Sequence, residues 1–353
     1  MTSDPEHSNP GHSDPARFDP APGDPALGDP ALGDPVGDAA RALAAGHLVA
    51  FPTETVFGLG ADAANPAAVA RIFAAKGRPA DHPLIVHVSD ASLLDVLATE
   101  VPPYAHALAA AFWPGPMTLI LPRSAAVSDA VTGGQPTVGV RVPSHPTALG
   151  LLQRFEQLGG RGVAAPSANR FGRVSPTTAD AVRAELGDVL LPTDRILDGE
   201  RSQVGIESTI IDCTGPAPVV LRPGSITDEQ ITAATGLALG ERRSTIRVSG
   251  SLPSHYAPVA TVILDERPRP GDGFIALHEH GTPEGVVRLA APRTVDAYAH
   301  ELYAALRAAD EAGLRRVVAW QPSGGGVAVA VRDRLGRAAH REAPATGAAQ
   351  RDR

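Results

Sequence analysis

Apolar and polar positions alternate between a helical period and a strand-like period through most of the chain. Apolar residues three and four apart predict helices, and the short apolar runs between them predict buried strands. The predicted helices cover residues 39–45, 66–75, 90–98, 103–112 and 295–312. The predicted strands cover residues 47–51, 84–88, 117–121, 137–142, 162–165, 195–197, 208–212, 219–221, 259–264, 273–277 and 316–319. Because helices and strands follow one another, the pattern indicates an α/β fold with a mixed sheet.

The same pattern divides the chain into segments of different composition. Residues 1–37 form a Gly-Asp-Pro repeat with few bulky apolar side chains. Such a segment cannot bury enough apolar surface to offset the entropy cost of ordering, so we predict a disordered tail, with a protein-binding role as the alternative. We assign residues 38–240 to a large α/β domain, 241–258 to a linker, 259–336 to a smaller α/β domain and 337–353 to a frayed end.

The formal net charge of −8 over 353 residues is unevenly distributed. Residues 1–38 hold eight acidic residues and one basic residue, so the remainder is nearly neutral. The single cysteine, Cys213, excludes an internal disulfide framework and a zinc site built from several cysteines. No apolar run approaches the roughly 20 residues that cross a bilayer, and no signal-peptide pattern opens the chain. We therefore expect a soluble cytoplasmic protein without membrane contact.

The segment FPTETVFGLG places polar side chains directly after a predicted strand. Thr53, Glu54 and Thr55 follow the apolar run, and in open α/β sheets ligands bind at the carboxyl ends of strands. The alternative is a helix cap, in which the threonines satisfy free backbone N–H groups. The Gly-x-Gly that begins at Gly58 is half of a dinucleotide fingerprint and is weak support for NAD binding.

Lys76 and Arg78 flank Gly77 just past a predicted helix, and Lys76 is the only lysine in the chain. Two cations held by a turn can clamp phosphate, the lysine as a point charge and the arginine as a fork. Alternatively, the two cations only complement the dipole at the end of the helix.

Two further positions call for a partner or a structural role. Arg141 lies in an apolar strand and needs an anion, either a buried carboxylate or a bound carboxylate or phosphate. Ser175-Pro176 has the pattern of a helix N-cap followed by proline at the first helical position. More generally, the predicted strands end in hydroxyl or cationic side chains, which suits phosphates and a small carboxylate.

Six sequence blocks carry a resemblance to a known family. They are PTETVFGLG, KGRPADHPLIVHV, WPGPMTLIL, VGVRVPSHP, APSAN and GIESTIID followed by LRPG. In order and spacing they resemble the YrdC-type threonylcarbamoyl-AMP synthases, over roughly residues 38–336. The HYAP stretch at 255–258, followed by a small α/β unit, is similar to the long form of that family.

The resemblance implies both a fold and a reaction. The fold would be a twisted, mixed open sheet with a deep cavity, plus a smaller Rossmann-like α/β domain, with the linker closing over the cavity. The activity would be an adenylyltransferase reaction that makes threonylcarbamoyl-AMP and pyrophosphate from L-threonine, bicarbonate or CO2, and ATP. A separate threonylcarbamoyl transferase complex would then modify the adenosine beside the anticodon of tRNA.

The resemblance also assigns roles to residues of this chain. Lys76 and Arg78 match the pair at the ATP phosphates and are expected to be catalytic. The implied ATP-binding residues are Lys76, Arg78, His82, Thr137, Ser167, Asn169, Ser175, Arg222, His255 and Tyr256. The implied L-threonine-binding residues are Thr53, Thr55, His87, Arg141, Ala165 and Ser208. No metal ligand is expected from the protein, since magnesium would be carried by ATP.

Two other functions were weighed. A non-catalytic RNA-binding module would need a basic surface, but the part after the tail is nearly neutral and aromatic residues make up 4% of the chain. We therefore expect direct tRNA binding to be weak or absent. A carbamoyl-adenylate-forming factor of hydrogenase maturation resembles this core, but those proteins carry cysteine-rich zinc segments that Cys213 alone cannot supply.

Overall fold

A computed structural model describes residues 33–241, 245–250 and 255–340 of the chain. Most of the predicted tail, parts of the predicted linker and the last part of the predicted frayed end lie outside the described residues. The compact unit begins at Pro35.

Eleven helical segments and thirteen strands make up the described part of the chain. The helices are α1 (Pro35–Ala44), α2 (Pro66–Lys76), a 3-10 turn (Ala91–Leu93), α3 (Leu94–Leu97), α4 (Pro103–Phe112), α5 (Asp129–Thr132), α6 (Pro146–Gln157), α7 (Ala179–Leu186), α8 (Asp228–Thr235), α9 (Val295–Glu311) and α10 (Val327–Ala339). The strands are β1 (Val49–Phe51), β2 (Gly58–Asp62), β3 (Ile85–His87), β4 (Met117–Pro122), β5 (Thr137–Arg141), β6 (Val163–Ala164), β7 (Arg195–Ile196), β8 (Thr209–Asp212), β9 (Val219–Arg222), β10 (Thr261–Leu264), β11 (Gly273–Ile275), β12 (Val287–Ala290) and β13 (Arg316–Ala319).

The strands form a large mixed sheet and a small parallel sheet, as the α/β pattern predicts. The large sheet has nine strands in the order β7-β1-β2-β6-β3-β5-β4-β8-β9. Its parallel neighbours are β1 with β7, β3 with β5, and β4 with β8. The small sheet has four strands in the order β10-β13-β11-β12, and all its pairs are parallel. We call residues 261–339, which contain the small sheet with α9 and α10, the C-terminal unit.

Apolar helices cover the large sheet on both faces. Alternate residues of a strand point to opposite faces, and in β1 Ala50 packs into a cluster with α2 and α4, while Val49 and Phe51 pack with α1 and α6. The C-terminal unit has a third cluster between its sheet and α9 and α10. Val56, Val174 and Ile206 of the larger part belong to that third cluster, so the core is continuous between the two sheets.

Some boundaries differ from the sequence-based expectation. Helix α1 starts at Pro35, so the tail prediction extends too far, because proline's fixed φ suits a first helical position. The predicted frayed end is wrong for its first residues, since Arg337 lies in the last turn of α10. The predicted ranges do not include helices α5, α6, α7, α8 and α10 or strands β2 and β12.

Two motif readings are also wrong. The N-cap of α7 is Thr178, whose side chain accepts from the Ala181 N–H, and not Ser175. The glycine-rich segment after the Thr-Glu-Thr motif is strand β2 and not the turn of a dinucleotide fingerprint. At Gly60 a Cβ would approach Val163 Cγ1 to 2.6 Å and a Phe51 ring carbon to 2.9 Å, so this glycine permits close packing of three strands.

Candidate functional site

A cavity lies at the strand ends of the large sheet. It brings together most of the side chains singled out from the sequence. The predicted residues that line it are Thr53, Thr55, Lys76, Arg78, His87, Arg141, Ala165, Ser167, Asn169, Ser208, Arg222, His255 and Tyr256. Residues far apart in sequence therefore meet at one site.

The sheet register explains why some of these side chains meet. Strands β3 and β5 are parallel, and their last residues, His87 and Arg141, are register partners. On the other side of the cavity β8 and β9 are antiparallel, so the start of β8 lies beside the end of β9. Ser208 therefore lies next to Arg222, whose Nε and NH2 donate to the Ser208 carbonyl at 3.1 and 2.9 Å.

Lys76 is the last residue of α2, and its side chain leaves the helix instead of capping it. Its Nζ donates to the carbonyl of Ser167 at 2.6 Å and to the carbonyl of Asn169. Burial and the nearby Arg78 guanidinium lower the pKa of Lys76 well below its usual value. The geometry therefore argues against the reading in which Lys76 only complements the helix dipole.

Arg78 and Arg222 add two more buried cations to this side of the cavity. The Arg78 NH2 donates to the Pro83 carbonyl at 3.0 Å, and the Arg222 NH1 donates to the Ser249 carbonyl at 2.8 Å. Burial lowers the pKa of Arg78 to about 10, with Arg222 contributing in the same direction. Three buried cations destabilise one another, so an anionic ligand at this position is electrostatically favoured.

The partner of Arg141 is a buried carboxylate. Its NH2 donates to Glu54 Oε1 at 2.7 Å, and the other oxygen of Glu54 accepts from the Ser144 N–H at 3.1 Å. Arg141 Nε is buried and has no hydrogen-bond partner in the described part of the chain. Glu54 thus holds the guanidinium at the cavity wall without using all its donors.

The two threonines of the Thr-Glu-Thr motif form a turn and not a helix cap. The Thr53 hydroxyl donates to the Val56 carbonyl at 2.6 Å, and the Thr53 and Thr55 hydroxyls are 2.8 Å apart. The turn brings both residues to the cavity wall beside His87. It therefore supplies hydroxyl groups to the part of the cavity nearest Arg141.

Both histidines of the cavity are neutral near pH 7. Burial lowers the pKa of His87 to about 3, and the Arg141 charge acts in the same direction. Burial likewise lowers the pKa of His255 to about 3. His255 stands 4.1 Å from Tyr256, ring centroid to centroid, and Phe171 packs edge-on against it. The histidines therefore supply neutral hydrogen-bonding groups and not positive charge.

Three residues that the resemblance placed at the nucleotide do not line the cavity. His82 packs edge-on against Phe171, with ring centroids 5.4 Å apart. Thr137 lines a separate, neighbouring pocket together with Ile246 and Val248. The Ser175 hydroxyl donates to Glu207 at 2.7 Å.

Several residues that line the cavity or hold its walls were not among the predicted site residues, and four of them carry polar or aromatic side chains. Phe171, Glu207 and Ser249 line it, and Glu54 positions Arg141. Glu207 lies in the block GIESTIID, where a carboxylate among apolar residues signals a buried partner. Burial raises its pKa, but Arg334 and Arg222 outweigh burial and lower the pKa to about 2.

The described residues contain no group of three or more His, Cys, Asp or Glu side chains that could hold a metal ion. None of their helices is both long enough and apolar enough to cross a membrane.

Comparison with known proteins places the chain among relatives of one kind. Residues 41–224 match the Sua5/YciO/YrdC family, described as "Telomere recombination", and residues 226–340 match the "Threonylcarbamoyl-AMP synthase, C-terminal domain" family. The threonylcarbamoyl-AMP synthase of Pyrococcus abyssi is 41% identical over 85% of this chain and 92% of its own length. That of Bacillus subtilis is 38% identical over 86% of this chain and 92% of its own length.

A solved structure of similar sequence has the same overall fold. It is the P. abyssi Sua5 protein complexed with L-threonine. The match has a TM-score of 0.77 and 40% identity, and it covers 86% of this chain and 94% of that one.

Proposed function

The chain belongs to the threonylcarbamoyl-AMP synthase family, and from that premise we propose the reaction that its cavity performs. The function is synthesis of threonylcarbamoyl-AMP for tRNA modification. We propose that L-threonine, bicarbonate or CO2, and ATP are the substrates and that pyrophosphate is the second product. This makes the protein an adenylyltransferase.

Two bond-forming steps account for the product. The neutral amine of threonine attacks the carbon of CO2 and loses one N–H proton to solvent, which gives a carbamate. With bicarbonate as the source of carbon, that proton leaves with hydroxide as water. A carbamate oxygen then attacks the α-phosphorus of ATP, and the bond to the β,γ-pyrophosphate breaks. No covalent enzyme intermediate is needed, so the chain has to supply positioning and charge stabilisation.

The residues divide between the two substrates by their chemistry. Lys76, Arg78 and Arg222 form the cationic side of the cavity and would bind the triphosphate and stabilise the leaving pyrophosphate. The observation that carries the proposal is that this trio of buried cations lines the same cavity as the hydroxyl groups of Thr53, Thr55 and Ser208.

The hydroxyl-bearing wall would bind the amino acid. Arg141 would bind the threonine carboxylate, while Thr55, His87 and Ser208 surround the amine and side chain. A neutral His87 suits this role, because it can accept from or donate to uncharged hydroxyls without adding positive charge.

Magnesium would enter with the nucleotide. Among the residues that the structure describes, Glu207 is the one carboxylate that lines the cavity, and its oxygens already accept hydrogen bonds from Ser175, Tyr303 and Arg334. The donor set therefore fits a metal held by phosphate oxygens and not by a protein cluster. When bound there, magnesium would neutralise phosphate charge.

We place the reaction in the cytoplasm, where ATP and tRNA are available, with a threonylcarbamoyl transferase complex receiving the product. We propose that tRNA itself binds weakly or not at all, because the chain after residue 38 is nearly neutral in sum.

The test is pyrophosphate release from ATP by the full chain, measured with and without L-threonine and bicarbonate. We expect release only when both are present, and threonylcarbamoyl-AMP should accumulate in equal amount. Serine in place of threonine serves as the matched control for recognition of the β-methyl group. Pyrophosphate release that is independent of threonine would contradict the proposal.

A further inference from the structure

Arg334 of the C-terminal unit is a fully buried arginine that contacts residues of the candidate site but does not line the cavity itself. It lies on α10, on the same face as Val331, Leu335 and Ala338, and it is 0% exposed. An arginine in the middle of an apolar helix face is costly to bury unless every donor has a partner. Its partners therefore indicate what it is for.

The guanidinium joins the C-terminal unit to two strand ends of the large sheet. Its Nε donates to Glu207 Oε2 at 2.7 Å, and its NH2 donates to the Pro223 carbonyl at 3.0 Å. Its NH1 donates to the neighbouring Asp333 at 2.6 Å. Glu207 immediately precedes Ser208, and Pro223 immediately follows Arg222, so one side chain holds the chain next to two site residues.

Other contacts complete the same framework. Tyr303 of α9 donates to Glu207 Oε2 at 2.8 Å, and Ser175 donates to Glu207 Oε1 at 2.7 Å. The Arg334 guanidinium also lies over the ring of Tyr256, 5.4 Å from its centroid. Glu207 is thus fixed by residues from both parts of the chain.

Ser208 and Arg222 are themselves joined, as described above, and the Ser208 hydroxyl is also 2.8 Å from that of Thr118. Rotation or displacement of either strand end would move a hydroxyl of the amino-acid side and a cation of the phosphate side together. We propose that Arg334 is a positioning residue, which sets the placement of Ser208 and Arg222 through Glu207 and Pro223. The proposal rests on the function proposed above and makes the C-terminal unit part of the binding machinery.

The test compares KM with kcat in full-length variants. Arg334→Met combined with Glu207→Gln removes the fork without leaving a lone buried charge. Arg334→Lys keeps a charge near Glu207 but cannot reproduce the planar fork to both partners. Arg332→Met is the matched control, because Arg332 lies on the same helix and donates to the carbonyls of Pro322 and Gly324 within the C-terminal unit.

We expect the double variant to raise KM for both ATP and L-threonine by roughly tenfold or more, because both substrates lose a positioned group. Arg334→Lys should give a smaller rise in both KM values, and Arg332→Met should leave them unchanged. A merely structural role would lower the thermal unfolding midpoint and the amount of folded enzyme without moving either KM.

Wild-type KM values in a folded double variant, Arg334→Met with Glu207→Gln, would overturn the proposal. If the double variant does not fold, Arg334→Lys decides, and wild-type KM values there overturn it equally. These outcomes leave the proposed function untouched, since that fails only if the unaltered chain shows no threonine-dependent pyrophosphate release.

Discussion

Lys76 illustrates how a single residue acquires its properties from its surroundings. Its ammonium is buried and donates to two backbone carbonyls of the loop that contains Ser167 and Asn169. Burial and the adjacent Arg78 disfavour the charged form, and a bound polyphosphate would favour it. The residue is therefore held in a position where its charge gains most when an anionic substrate is present.

Replacing this amine should remove most of the proposed activity. We expect Lys76→Ala to lower the rate of pyrophosphate release by about 100-fold or more, because a charge opposite the phosphates is lost. The measurement is steady-state pyrophosphate release, with circular dichroism to check folding. Near-wild-type turnover in the folded variant would refute the phosphate-clamp role. Arg332→Met is a suitable control, because it removes a cation outside the cavity.

His87 should make folding stability sensitive to acid. Its folded-state pKa is about 3, below the usual 6.5, so below pH 6.5 the unfolded chain takes up a proton that the folded chain does not. Stability is therefore lost as the pH falls from 6.5 toward 3, by up to about 1.4 kcal/mol per pH unit from this group.

Urea unfolding at pH values between 6 and 5 measures this slope, above the range in which most carboxylates titrate. His87→Asn should reduce the slope by about 1.4 kcal/mol per pH unit. An unchanged slope in the variant would show that His87 is protonated in the folded protein.

Helix α2 shows how one element positions the cationic side of the cavity. Asn65 caps its N-terminus by accepting from the N–H groups of Ala67 and Ala68. Gly77 ends it in the left-handed conformation, with φ 60°. Lys76 and Arg78 lie immediately before and after this glycine, and both side chains line the cavity. The sequence Lys-Gly-Arg therefore ends the helix and also places two cationic side chains in the cavity wall.

A substitution at Gly77 should be costly through backbone strain alone. A Cβ there would meet no heavy atom within 4 Å, but φ lies in the left-handed region. We expect Gly77→Ala to lower the free energy of unfolding by roughly 1 kcal/mol, and Gly77→Asn to cost less, because asparagine tolerates this conformation better. Chemical denaturation measures both, and equal stability of the two variants would contradict the strain argument.

At the scale of the whole molecule, the C-terminal unit is tied to the rest through polar contacts as well as a shared core. Asp310 of α9 accepts from the backbone N–H groups of Val259 and Ala260, and it pairs with Arg173 at 3.3 Å. Arg307 of the same helix pairs with Glu185 of α7 at 3.3 Å. These contacts fix the chain as it enters the small sheet.

Loss of the Asp310 carboxylate should therefore affect stability more than substrate binding. We expect Asp310→Ala to lower the free energy of unfolding by about 1–3 kcal/mol, since it leaves donors without an acceptor. The KM values should stay unchanged, because Asp310 does not line the cavity. The exposed neighbour Glu311 provides the control, and we expect Glu311→Ala to change the free energy of unfolding by less than about 0.5 kcal/mol. A rise in KM for Asp310→Ala would contradict the view that Asp310 acts on stability alone.

The sequence by itself determined the features that depend on local pattern. Apolar periodicity predicted the α/β class, and Asn65, with Pro66 after it, marked the start of α2 correctly. The order of the six motif blocks predicted the family, which the comparisons confirm. The assignments of individual binding residues stay predictions, although most of those residues line one cavity.

Only the tertiary structure decided which side chains pair across long sequence separations. Arg141 needed an anion, and the pattern left open whether it is a protein carboxylate or a bound ligand; the fold places Glu54 at 2.7 Å and leaves the Arg141 Nε without a hydrogen-bond partner in the described part of the chain. Ser175 had the pattern of a helix cap, but the fold turned its hydroxyl toward Glu207. Arg334 lies 127 residues beyond Glu207. Local propensity cannot fix such pairs, because burial and sheet register, which bring the partners together, belong to the whole chain.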